Sequence, residues 1–175
     1  MTKVINLIAG PGAGKSTTAA GLFFRMKLAG IKCELVTEFA KELTYDENWA
    51  DLKRQIYVMA EQERRQRRLL GKVDYIITDA PLLTGIEYIS DPIDRVAVEK
   101  ATVELFEQYD NINITVVRSK PYAEYGRSQT EAEARDLDHR LAYRYIKYPM
   151  HFTVPGDEDA PIKIIERLMT LGFLG

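Results

Sequence analysis

Val4-Ile5-Asn6-Leu7-Ile8-Ala9-Gly10-Pro11-Gly12-Ala13-Gly14-Lys15-Ser16-Thr17 joins a short apolar run to a glycine-rich turn and a Lys-Ser pair at the start of a helical pattern. A strand, a turn without Cβ obstruction and a new helix together form a phosphate cradle. Glycines let successive backbone N–H groups converge on one anion, and the helix adds its positive N-terminal end. Lys15 can reach the β- and γ-phosphates of a nucleoside triphosphate, and the Ser16 hydroxyl can ligate Mg²⁺. Gly10, Pro11, Gly12, Ala13, Gly14, Lys15, Ser16 and Thr17 are therefore the expected nucleotide contacts. Ala9 stands where the strict pattern asks for glycine.

Outward from this stretch, apolar strands alternate with helical patterns. Val4–Ile8, Lys32–Thr37, Val73–Thr78, Ile112–Val117 and His151–Val154 read as strands. Between them, helices are expected over 15–29, 39–43, 47–70, 93–109, 130–147 and 161–171. Ala19, Leu22, Phe23, Met26 and Leu28 supply the apolar face of the first helix; Trp49, Leu52, Ile56, Met59 and Ala60 supply that of the 47–70 helix. This alternation means right-handed crossovers and a mainly parallel α/β sheet covered on both faces. In such sheets ligands sit at the carboxyl ends of the strands. Residues 9–17, Glu38, Asp79 and Arg118 all follow strand ends and should ring one cleft.

With 175 residues, a single domain over 1–175 is expected. A net charge of −2 advertises no global field for nucleic acid. A lone Cys33 in a β-like stretch fits a buried thiol in a reducing cytoplasm. No apolar run approaches the ~20 residues of a membrane span. His139 and His151 are isolated, with no metal-site spacing.

Glu38 could take the proton of a hydroxyl attacking the γ-phosphate, or hold a sugar hydroxyl; the plain alternative is an acid at a helix start. Asp79 could hold Mg²⁺ beside Ser16 or grip the acceptor; the alternative is an N-cap before Ala80-Pro81. The polar stretch 118–129 is long for a connection and reads as part of a lid over about 118–130. Arg127 is its first candidate to close over the triphosphate, then Arg118, with Arg135 and Arg140 behind; surface charge is the alternative for each. The run from Glu61 to Arg68 contains the i,i+4 pairs Glu61–Arg65 and Glu63–Arg67 and reads as a solvated helix face before it reads as a polyanion site. Tyr122, Tyr125, Tyr143, Tyr145 and Tyr148 suit core and lid packing, with base stacking as the alternative.

Together these residues resemble the small P-loop kinases of nucleosides and nucleotides. Residues 9–17 are similar to the phosphate loop of the adenylate-kinase group. Val36-Thr37-Glu38-Phe39-Ala40-Lys41-Glu42 resembles the segment after strand two in ribosylnicotinamide kinases, and deoxyribonucleoside kinases place a base glutamate there. Thr78-Asp79-Ala80-Pro81 takes the place of their third-strand acidic motif, without its arginine or second aspartate. Gly126 to Ala134 resembles the lid and following helix of small phage-encoded kinase-like ATPases. The resemblance implies the P-loop NTPase fold, a three-layer sandwich of five parallel strands in the order 2-3-1-4-5. It makes Glu38 the base, Lys41 a phosphate or substrate contact, Gln62 a substrate-pocket residue, and Val154-Pro155-Gly156 the adenine-side loop. ATP and Mg²⁺ are the implied cofactors, and a nucleoside or nucleotide is the implied acceptor. A polynucleotide 5′-hydroxyl acceptor, an ATPase switch that phosphorylates nothing, and self-association remain open.

Overall fold

The computed structural model describes residues 2–90, 92–119, 121 and 130–175, apart from the side chains of Ile93 and Asp94. Its elements run β1 (Lys3–Ile8), α1 (Lys15–Leu28), β2 (Cys33–Val36), α2 (Phe39–Tyr45), α3 (Trp49–Leu52), α4 (Gln55–Arg67) and β3 (Tyr75–Thr78). A 3-10 segment, Leu82–Tyr88, leads to α5 (Pro92–Glu107), β4 (Asp110–Val117), α6 (Glu131–Tyr145), β5 (His151–Pro155) and α7 (Ala160–Thr170). The strands form a parallel five-stranded sheet in the order β2-β3-β1-β4-β5. That is the order implied by the resemblance.

Central β1 buries apolar residues on both faces because helices cover both, and its one buried polar side chain, Asn6, hydrogen-bonds Asn111 and Asn113 of β4. Ile5 and Leu7 pack with Leu22 and Met26 of α1 and with Ile164 and Leu168 of α7. Val4 and Ile8 pack on the other side with Leu83, Ile86, Phe106, Leu141 and Tyr145. Helices on both faces leave no solvent side to a central parallel strand, so its hydrophobicity does not alternate. Cys33 is buried, as expected. Among the described residues, no helix is long and apolar enough to cross a membrane.

Four expectations about elements need correction. The single helix over 47–70 is two, α3 and α4, parted at Lys53 and Arg54, where Arg54 (φ −88°, ψ 84°) leaves helical geometry. Its expected apolar face is also misplaced: Trp49 is 52% and Ile56 44% exposed, while α4 buries Gln55, Val58, Gln62, Glu63 and Gln66. Gln55, Gln62 and Glu63 can be buried there because specific partners satisfy them, whereas Gln66 Nε2 has no hydrogen-bond partner among the described residues. Glu63, for example, accepts hydrogen bonds from Tyr109 (2.7 Å) and Arg67 (2.5 Å). So the Glu61–Arg68 run is only partly a solvated face, although both expected i,i+4 pairs form. Leu28, assigned to the core face of α1, is 74% exposed. The 3-10 segment was not foreseen, since neither helical nor strand spacing marks it.

Candidate active site

The phosphate loop is shaped by two left-handed glycines, Gly12 (φ 79°) and Gly14 (φ 98°), the second being the N-cap of α1. With no acid in its first turn, α1 presents an uncompensated positive end. The loop after β5 closes on it from the side. Gly156 donates its N–H to the Val117 carbonyl (2.7 Å), and a Cβ on Gly156 would sit 2.2 Å from the Ala13 carbonyl oxygen. Only glycine permits that approach. Pro155 is exposed beside Val117, its sheet partner, at the rim of the loop.

Four strand ends then deliver charge to one point. Lys15, after β1, donates from Nζ to the Gly10 carbonyl at 3.1 Å. Burial pulls its pKa down, opposed by the charges of Glu38, Asp79 and Asp138, while Arg118 adds to the lowering. Ser16 donates its hydroxyl to Asp79 Oδ2 at 2.5 Å. Asp79, just past β3, is 4% exposed, and its Oδ1 has no hydrogen-bond partner among the described residues. A serine hydroxyl beside a buried carboxylate with an uncommitted oxygen is a donor set that suits Mg²⁺, which takes hard oxygen ligands and keeps much of its water. Glu38, past β2, is half-buried, and burial raises its carboxyl pKa against the pull of Lys15 and Lys41. Its own side chain does not cap α2, although it occupies the N-cap position. Three carboxylates and two cations thus share the cleft, a balance suited to an anionic phosphate that arrives with a divalent cation.

Arg118 is buried and ion-paired. Its side chain is 4% exposed, and one guanidinium nitrogen donates to Asp138 Oδ2 at 3.0 Å. Arg127 and residues 122–129 of the expected lid lie outside the described residues. Arg135 pairs with Glu131 (2.7 Å), and Arg140 pairs with Asp136 (2.6 Å) and Glu87 (3.1 Å). Lys41 is exposed, with its ammonium over the Tyr45 ring.

Two residues of this cleft had no signal in the sequence. Asp138 on α6 accepts the Gly10 N–H through Oδ1 while holding Arg118 through Oδ2, so one carboxylate ties the phosphate loop, the end of β4 and α6 together. Tyr88, at the end of the 3-10 segment, is 40% exposed. Partial burial, reinforced by the charge of Glu38, pushes its phenol up to about 12. Gln62 is 6% exposed, and its amide is committed to the backbone on either side of Glu38.

A family model described as an AAA domain (AAA_28) matches residues 4–159. No curated protein matches the chain. The solved structure of deoxyadenosine kinase from M. mycoides with bound dATP is similar at TM-score 0.59 and 19% identity, over 97% of this chain and 100% of that one. An APS kinase variant from Mycobacterium tuberculosis is similar at TM-score 0.48 and 17% identity, over 98% of each chain.

Proposed function

Because the chain belongs to this AAA-domain family and has the P-loop NTPase fold, we propose that it is an ATP-dependent phosphotransferase acting on a nucleoside or nucleotide. The observation that carries this reading is the placement of Glu38. A half-buried carboxylate at the end of β2, its pKa raised by burial, lies within electrostatic reach of Lys15 and Asp79. An aqueous carboxylate is a weak base, and a raised pKa strengthens it towards the proton of an attacking hydroxyl.

In this reading the loop N–H groups from Gly12 to Thr17 and the ammonium of Lys15 hold the phosphates, while the Gly10 N–H stays with Asp138. Ser16 and Asp79 would hold Mg²⁺, which supplies charge neutralisation along the triphosphate. Pro155 and Arg118 border the nucleotide from the ends of β5 and β4. With a nucleoside, the acceptor hydroxyl attacks the γ-phosphorus, the bond to the bridging oxygen breaks, ADP leaves, and Glu38 takes the hydroxyl proton; with a nucleotide, a phosphate oxygen attacks without a base and Glu38 holds a sugar hydroxyl. Arg127 is proposed from its sequence position to cover the developing charge. Phosphoryl transfer asks mainly for positioning and charge stabilisation, which these groups provide. Pairing of Arg64 with Glu61, and of Arg65 with Glu42 and Glu61, leaves less charge for a polynucleotide backbone than the sequence run suggests.

The test is incubation with Mg-ATP and a panel of nucleosides, nucleoside monophosphates, nicotinamide riboside and a 5′-hydroxyl oligonucleotide, with products read by mass. A phosphorylated nucleoside or nucleotide is expected. Product on the oligonucleotide alone would reassign the acceptor. ATP consumption with no phosphorylated acceptor would replace the kinase with an ATPase.

A further inference from the structure

Resting on the reading of Glu38 as the base, we propose that Gln62 is a positioning residue that holds Glu38 at the phosphoryl site by bridging the peptide groups on either side of it. The resemblance placed Gln62 among substrate contacts. The geometry points elsewhere. Gln62 Oε1 accepts the Phe39 N–H at 3.0 Å, and Nε2 donates to the Thr37 carbonyl at 3.2 Å. Residues 37 and 39 flank Glu38, so one side-chain amide from α4 clamps the backbone that aims the base.

The clamp answers a specific need. Phe39 opens α2, and the first N–H groups of a helix have no intrahelical acceptor. The Glu38 side chain does not supply one, and Phe39 is only 7% exposed, so water is largely shut out. Gln62 fills the cap's role from another helix, so the Glu38 carboxylate is not spent on capping α2. Turning the whole Gln62 amide towards a substrate would release both groups and strand the buried Phe39 N–H, which is costly. Neighbouring contacts hold the same register. The Arg65 guanidinium lies 4.7 Å from the Phe39 ring centroid while pairing with Glu42 at 2.6 Å, and Phe39 and Leu43 of α2 pack with Val58 of α4.

Two measurements test this, and the first needs no ligand. In the wild-type protein the Phe39 amide should be protected from hydrogen exchange, although its helix cannot protect it. In Gln62→Met it should exchange at least about tenfold faster, while the Leu43 amide inside α2 stays unchanged. The second is a double-mutant cycle in turnover, using Mg-ATP and the panel acceptor that yields product. Gln62→Met should lower kcat between about ten- and a hundredfold with little change in the KM for ATP, the cost of a misaimed group. That loss should vanish in the Glu38→Gln background, because the clamp acts through Glu38. Equal Phe39 exchange in the two proteins overturns the clamp. A Gln62→Met loss that persists undiminished without Glu38 overturns its role in aiming the base. Full turnover in Glu38→Gln alone overturns the base reading, and the exchange result then decides the clamp by itself.

Discussion

Glu38 carries a cost that its proposed role explains. Burial raises its carboxyl pKa above the ordinary value of 4.5. The folded protein therefore binds this proton more tightly than the unfolded chain does. Its contribution to stability is fully present below the unfolded pKa and is lost as pH rises through the folded one. Glu38→Gln should accordingly raise the melting temperature at neutral pH, with the gain disappearing towards pH 4. The same substitution should lower turnover by about 10²–10⁴-fold if the group is a general base. In the wild type, kcat should climb through the raised Glu38 pKa; a flat pH–rate profile there would remove the base. Lys15, Ser16, Glu38 and Asp79 were legible in the sequence because each follows a strand, and strand ends converge. Asp138 and Tyr88 were not. A lone aspartate in a charged helix and a tyrosine in an unpatterned segment carry no spacing that reports what they approach in space.

At the scale of elements, periodicity found the strands and long helices but misplaced the buried face of α3 and α4. Trp49 and Ile56 have the hydrophobicity of core residues and lie outward, whereas Glu63 and Gln66 lie inward. Hydrophobic spacing cannot foresee this, because a buried carboxylate is tolerable only where a distant residue satisfies it. Tyr109, 46 positions away, donates to Glu63 in a buried hydrogen bond. Tyr109→Phe should therefore destabilise the protein by about 1–3 kcal/mol, the cost of leaving a buried polar group short of a partner. Arg64→Ala, which removes only an exposed pair on the same helix, should leave the urea midpoint within error. Comparable losses in both variants would mean that the α4 interior is held by packing rather than by this network.

For the whole molecule, the site is an assembly of distant segments. Gly10 and Asp138 lie 128 positions apart, Ser16 and Asp79 63 apart, and Phe39 and Gln62 23 apart. A ligand bound at such a junction stabilises the native state through mass action. Mg-ATP at a hundredfold excess over its dissociation constant should add about 2.7 kcal/mol. Lys15→Ala should remove that shift while remaining folded by circular dichroism, since the core packs without Lys15; an undiminished shift would dislodge the phosphate site from residues 9–17. The amino-acid sequence by itself determined the phosphate loop, the alternation of strands and helices and, through the resemblance, the strand order. Those are local patterns of backbone freedom and hydrophobic period, or signatures carried whole in short segments. Only the tertiary structure decided that Asp138 anchors the phosphate loop to α6, that Tyr88 borders Glu38, and that the Gln62 amide is committed to backbone. Such pairings depend on which surfaces meet when both faces of the sheet are covered, and no spacing along the chain encodes that meeting.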